Sequence, residues 1–155
     1  MSRPLNYTTK IPAKRTAGEC LDLLAEAGAH SVSVTYSSRV PAGLAFRLDT
    51  AGGRRDFTLP VDADSMQAAL RKALKTDRPH VSGNEFDRML GREHPVNVAW
   101  RVIRDWLEAQ LALISAQMAS LDQVMLPYLE VDPGQTLYQR YLEASGQLAL
   151  TGGPE

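Results

Sequence analysis

Ser31-Val32-Ser33-Val34-Thr35-Tyr36, Leu44-Ala45-Phe46-Arg47-Leu48-Asp49 and Asp56-Phe57-Thr58-Leu59 decide the fold. Val32, Val34 and Tyr36 alternate with Ser31, Ser33 and Thr35. Leu44, Phe46 and Leu48 alternate with Ala45, Arg47 and Asp49, and Phe57 and Leu59 with Asp56 and Thr58. A period of two sends successive side chains to opposite faces, so each run is a strand with one apolar face. One apolar face per strand is the pattern of an antiparallel sheet covered on one side. The connections Ser37-Ser38-Arg39 and Ala51-Gly52-Gly53 are of hairpin length, which gives a three-stranded meander. Tyr36, Phe46 and Phe57 are expected on its apolar face. Arg47 and Arg54 are expected near each other on the polar face.

Helical patterns flank the meander. Residues 1–12 read as an extended lead-in closed by Pro12. Thr16-x-x-Glu19 has the spacing of a capping box, and Cys20, Leu23, Leu24 and Ala27 fall on one face. Gly28 is a stop, so the first helix is expected over residues 17–27. After Pro60, Asp64-x-x-Gln67 offers a second capping box. Met66, Ala69, Leu70, Ala73 and Leu74 form the buried stripe of a helix over residues 64–75. Pro79, Gly83 and Gly91 mark residues 79–94 as a linker with one short turn around Phe86 to Leu90.

Pro95 suits the first turn of a long helix expected to run to about Ser120. Its apolar positions include Trp100, Ile103, Trp106, Leu107, Leu111, Ile114 and Met118. That arc is wider than a helix lying on one sheet requires. The helix therefore either runs through the middle of its own domain or buries a second face against another subunit. Ser120-x-x-Gln123 restarts a short helix, Leu126-Pro127-Tyr128-Leu129 turns it, and Asp132-Pro133-Gly134 is a turn. A last helix is expected over residues 137–145, capped by Thr136-x-x-Gln139 and stopped by Gly146. The fold class is α+β: an αβββα unit over residues 1–78, the linker, and a helical region over 95–150 packed on the first unit. Residues 151–155 are expected as a disordered tail.

A chain of 155 residues is long enough for one domain with a real core. Cys20 is the only cysteine, which excludes an internal disulfide and any multi-cysteine metal site. The N-terminus lacks the apolar core of a signal peptide, and charges interrupt the longest apolar stretch, so no membrane association and a cytoplasmic location are expected. The net charge of −1 conceals a split. Residues 1–53 carry six Lys/Arg against four Asp/Glu, and residues 54–104 carry ten against seven. Residues 105–155 carry one against seven. Such asymmetry marks a polar interaction face or head-to-tail assembly when it is not simply solvated.

Chemistry-bearing patterns are sparse. His30, His80 and His94 lack the spacing of paired metal ligands, so no metal and no cofactor are expected. Cys20 lies on an apolar helix face, where a thiol is inert. No nucleophile elbow or phosphate loop is present. No catalytic residue is assigned. The basic side chains are the main candidates for binding an anion, a nucleotide or a nucleic acid: Arg47, Arg54, Arg55, Arg71, Lys72, Lys75, Arg101 and Arg104. Arg101 and Arg104 are three apart on one helix face and could clamp one phosphate.

Three segments carry a resemblance. They are Asn6-Tyr7-Thr8-Thr9-Lys10-Ile11-Pro12 with Thr16-x-x-Glu19, Leu23-Leu24-Ala25 and Gly28-Ala29, then Phe57-x-Leu59-Pro60, then Ala99-Trp100-Arg101-x-Ile103-x-Asp105-Trp106-x-Glu108-Ala109-Gln110-x-Ala112 with Leu126-Pro127-Tyr128-Leu129. The chain resembles an uncharacterised family of small bacterial prophage and mobile-element proteins in these segments, while Thr76 to His94 does not match. The resemblance implies action inside a bacterial host cell and brings no catalytic residues.

The resulting expectation is a non-enzymatic intracellular binding protein of phage or mobile-element origin, acting on a host factor. Homo-oligomer formation is expected through Trp100, Trp106, Leu107, Leu111, Ile114 and Met118. Two other readings stay open: an accessory protein that grips single-stranded nucleic acid, and an anti-defence protein that sequesters a nucleotide signal.

Overall fold

The computed structural model describes residues 2–151. The chain folds as α1 (Ala13–Glu26), β1 (Ser31–Ser37), β2 (Val40–Thr50), β3 (Gly53–Pro60), α2 (Ala63–Thr76), α3 (Gly83–Leu90) and α4 (Glu93–Ser115). After these come α5 (Leu121–Met125), a 3-10 turn (Leu126–Tyr128), the short ribbon β4 (Glu130–Asp132) and β5 (Gln135–Thr136), and α6 (Leu137–Thr151). This is the expected α+β class.

The sheet is an antiparallel meander in the order β1-β2-β3. Val34 pairs with Leu44, and Leu44 with Leu59; Val32 pairs with Phe46, and Phe46 with Phe57. The alternation therefore carries through all three strands. Phe46 and Phe57 stack at 5.5 Å between centroids. Tyr36 departs from the expectation and is 61% exposed. The register of β1 on β2 slips between Thr35 and Tyr36, because Thr35 pairs with Gly43 but Tyr36 with Pro41, which leaves Ala42 of β2 as the extra residue and ends the regular pairing just before Tyr36. Gly43 sits where the strands crowd, since a Cβ there would lie 2.9 Å from the Leu59 carbonyl oxygen.

The inner face of the sheet packs on α1 and α4. Leu44, Phe46, Leu48, Phe57 and Leu59 meet Ala17, Cys20, Leu24, Trp100, Leu107 and Met125 in one core. A second core joins Leu70 and Leu74 of α2, Met89 of α3 and Val98 of α4. The long helix serves both cores, which accounts for its broad apolar arc within a single chain. Trp100 is wholly buried, and its indole N–H donates to the Pro41 carbonyl at 2.9 Å, which ties α4 to the irregular end of β2.

Several element ends differ from expectation. Helix α1 begins at Ala13 rather than residue 17, so Thr16 is buried inside the helix and caps nothing. Its first N–H, on Ala13, donates instead to Asn97 Oδ1 of α4 at 2.8 Å. Asp62, not Asp64, caps α2 by accepting from the Ser65 N–H. The segment read as a linker contains α3, capped by Ser82, with Met89 1% exposed in the second core. Helix α4 stops at Ser115. Gln117 adopts a left-handed φ of 60°, and the N–H groups of Gln117 and Met118 close on the Ile114 and Leu113 carbonyls. Gly146 does not stop α6, which runs to Thr151; residues 152–155 of the expected disordered tail lie outside the described residues. The expected stop at Gly28 and the boxes at Ser120/Gln123 and Thr136/Gln139 are all present.

Candidate functional site

The sequence-predicted basic residues do not form one patch. Arg47 and Arg54 lie on the open face of the sheet, but each meets a carboxylate directly opposite it. Arg47 Nε donates to Asp56 at 2.7 Å, and Arg54 Nε to Asp49 at 3.2 Å. Arg47 holds the Asp56 carboxyl below the usual carboxylate range, chiefly through this hydrogen bond. His30, then Arg54, do the same for Asp49. Arg55 points to the other side of β3 and lines a small hollow with Asp122 and Leu126. On α2, Arg71 reaches the Leu90 carbonyl, and Lys72 and Lys75 are exposed.

Arg101 and Arg104 face α1 rather than solvent. Arg101 donates to Glu19 at 2.5 Å, and its side chain is only 14% exposed. Arg104 pairs with Asp105 and Glu108 and approaches Glu19 at 4.0 Å. Its Nε is buried without a hydrogen-bond partner among the described residues. Glu19, read as half of a capping box, is the anion that seals this seam. The expected interface residues also divide. Trp100 and Leu107 are core, and Trp106 packs edge-on against Tyr128 at 5.6 Å. Leu111 is half-buried against the same core, Ile114 is half-buried, and Met118 is 74% exposed beyond the helix end. Trp100, Trp106, Leu107 and Leu111 are thus used within the chain, while Ile114 and Met118 belong to neither core.

A different cluster gathers at the starts of α1 and α4, less than two turns from this seam. Ala13 meets Asn97, Thr16 meets Arg101, and Glu19 meets Arg101 and Arg104. The contacts advance together along both helices, so α1 and α4 run parallel and start at the same end. Neither start has a side-chain cap of its own. Between them and the β1–β2 turn lies a cavity of about 570 Å³, lined by Lys14, Arg39, Arg92 and Glu93 with Tyr36, Val40, Pro41 and Val96. Lys14, Arg39 and Arg92 are exposed, and no carboxylate or carbonyl accepts from their side chains among the described residues. A second hollow shares Pro12, Arg92, Glu93 and Asn97 and adds Lys10, Arg88 and His94.

Arg39 is held there at a conformational cost. Ser37 pairs with Val40, leaving Ser38-Arg39 as a two-residue hairpin loop with φ of 50° and 67°. Such loops normally take Asn-Gly, because other residues meet a steric penalty of about 1–2 kcal/mol in the left-handed region. Strain of this kind collects at functional positions.

His94 braces the floor. It is 1% exposed, with Nε2 at 2.6 Å from the Tyr7 carbonyl and Nδ1 at 3.0 Å from the Arg88 guanidinium. The carbonyl can only accept, so Nε2 carries the proton and the bare Nδ1 accepts from Arg88. This is a neutral imidazole, and burial lowers its pKa below 6.5. Cys20 is inert: burial pushes its thiol up to about 12. Among the described residues no three His, Cys, Asp or Glu side chains gather as metal ligands, and no helix is long and apolar enough to cross a membrane.

No family model matches the chain, and neither does any curated protein or solved structure. The cavity therefore stands on its own geometry.

Proposed function

We propose that this chain is a non-enzymatic binding protein and that it holds a nucleotide in the cavity between the β1–β2 turn and the starts of α1 and α4. The observation that carries the reading is the wall composition. Lys14, Arg39 and Arg92, in a wall that also holds Glu93, have no side-chain partner among the described residues, whereas Arg47, Arg54, Arg88, Arg101, Arg104 and Arg140 are all paired with carboxylates. Tyr36, Val40 and Pro41 supply an aromatic and apolar side to the same space. An anion with a flat ring matches that division: phosphate on the guanidinium groups, base on the tyrosine. The volume falls within the range of roughly 300–1,000 Å³ usual for small-ligand sites. The parallel helix starts add positive potential at the same end. Strain at Arg39 fits a side chain retained for binding.

Calorimetric titration with AMP, GMP and their cyclic forms tests the reading, with adenosine and inorganic phosphate as controls. At least one nucleotide is expected to bind more tightly than either control, and Arg39→Gln or Arg92→Gln to weaken it about tenfold, the value of one charge-assisted contact. No heat from any nucleotide overturns it. Among the earlier alternatives, single-strand binding along the sheet face has less support, because Asp49 and Asp56 already neutralise Arg54 and Arg47.

A further inference from the structure

The two edges of the sheet are treated differently. The β3 edge carries Arg54, Arg55 and Asp56 and is bridged by Leu129, which pairs with Phe57. The β1 edge, Ser31-Val32-Ser33-Val34-Thr35-Tyr36-Ser37, pairs only with β2 among the described residues. It contains no charge, no proline and no glycine. Soluble proteins usually block such an edge with one of these devices or with a covering segment. Tyr36, 61% exposed at its end, is the kind of aromatic that a cross-strand neighbour covers.

We infer that β1 is the pairing edge for a second copy of this chain, joined antiparallel about Val34 into a continuous six-stranded sheet. The sequence is self-complementary in that register. Val34 meets Val34, Ser33 meets Thr35, Val32 meets Tyr36 and Ser31 meets Ser37 of the second copy. Hydroxyls therefore face hydroxyls on the open side, and valine faces tyrosine on the other. These are favourable cross-strand pairs, and the two-fold relation repeats each of them. No like charges are brought opposite each other along the strand. The Ser38-Arg39 turn would then pass beside His30 of the second copy, so the join borders the cavity without using its cations.

Sedimentation velocity at high micromolar concentration tests this. The wild-type chain is expected to dimerise. Ser33→Lys with Thr35→Lys places two lysine pairs in direct opposition and is expected to weaken the dimer about tenfold or more. Ser33→Lys with Thr35→Glu puts opposite charges at the same two contacts and is expected to restore it. Both positions are solvent-exposed and face Ala45 and Gly43 within the chain, so circular dichroism should report native folding in each variant. A wild-type monomer, or a dimer indifferent to both variants, overturns the inference. Nucleotide titration of the Lys/Lys variant separates this question from the cavity: binding that survives in the monomer leaves the cavity reading standing.

Discussion

The middle and the start of the α1–α4 pair use the same residue types to opposite effect. In the middle Arg101 and Arg104 converge on Glu19, half-buried, and hold the helices together. At the start, Lys14 and Arg92 stand around open space, joined by Arg39 from the β1–β2 turn, and none of the three is paired with Glu93 in the same wall or with another carboxylate among the described residues. The difference lies in what opposes each cation. The seam's charges are neutralised by the fold, so their contribution is to stability. The opening's three cations are unpaired among the described residues, so they are available to a ligand from outside. Where Arg and Lys fall in the sequence does not separate these cases, but their partners do.

The strongest break of that contrast is Glu19→Ala. It leaves Arg101, 14% exposed, without its carboxylate and removes the charge that lies 4.0 Å from Arg104. Removing one member of a buried pair costs about 3–5 kcal/mol, and the partial exposure of Glu19 brings the expected loss to about 2–3 kcal/mol. Urea denaturation measures it. A loss below about 1 kcal/mol would put the seam among ordinary surface pairs. Protein that remains folded should still bind nucleotide, because Glu19 does not line the cavity.

Arg39→Gly should move the two properties in opposite directions. Glycine relieves the left-handed strain but loosens the unfolded chain, leaving an expected net gain of about 0.5–1 kcal/mol. The same change removes one guanidinium from the cavity, so nucleotide affinity should fall about tenfold. Thermal melts and calorimetry on one preparation give both numbers. A variant that is more stable and binds equally well would detach Arg39 from the site.

These assignments were legible to different degrees. Strand alternation survived because period two and one-sided burial are properties of adjacent residues; Tyr36 escaped because a register slip depends on the partner strand. The helix around Phe86 to Leu90 was nearly hidden by its proline and glycine flanks, and only packing of Met89 on Leu70 and Leu74 explains it. The two-sidedness of the long helix is legible in its apolar arc, but nothing in the sequence says that its second side meets α2 and α3. Arg101 and Arg104 were placed correctly on one face, yet Glu19, their partner, lies on another helix. Lys14, Arg39 and Arg92 are not legible as a group because nothing local links them. Their one local signal was a two-residue hairpin loop without glycine or asparagine.

Acid should loosen the open end before the seam. The His94 pKa is lowered by burial in the folded state, so the unfolded chain takes up the proton first as pH falls. Its contribution to stability is therefore full above about 6.5, the unfolded value, and declines as pH drops below it toward the folded pKa. Protonated Nδ1 would face the Arg88 guanidinium, breaking the tie between Tyr7, α3 and α4. The carboxylates with lowered values, such as Glu85 beside Arg88, act later: their contributions hold above the ordinary range near 4.5 and fade below it. Hydrogen exchange at pH 7 and pH 5.5 should show protection lost around Tyr7 and α3 while α1 near Glu19 is unchanged. His94→Gln should flatten that response; equal pH dependence in both proteins would acquit the histidine.

The smallest effect is expected on the open face of the sheet, where pairing exists without burial. Arg47 and Asp56 form a 2.7 Å ion pair directly across β2 and β3, but both side chains are about half exposed. Water and salt screen such a pair, and holding two side chains in register costs entropy, so its coupling should be hard to detect. A double-mutant cycle with Arg47→Ala and Asp56→Ala should give additive shifts in the urea midpoint, and added salt should change none of them. Strong coupling there would mean that pairing alone, without burial, is enough to make an arginine structural. The contrast between the seam and the cavity would then rest on the carboxylate and not on the depth at which it sits.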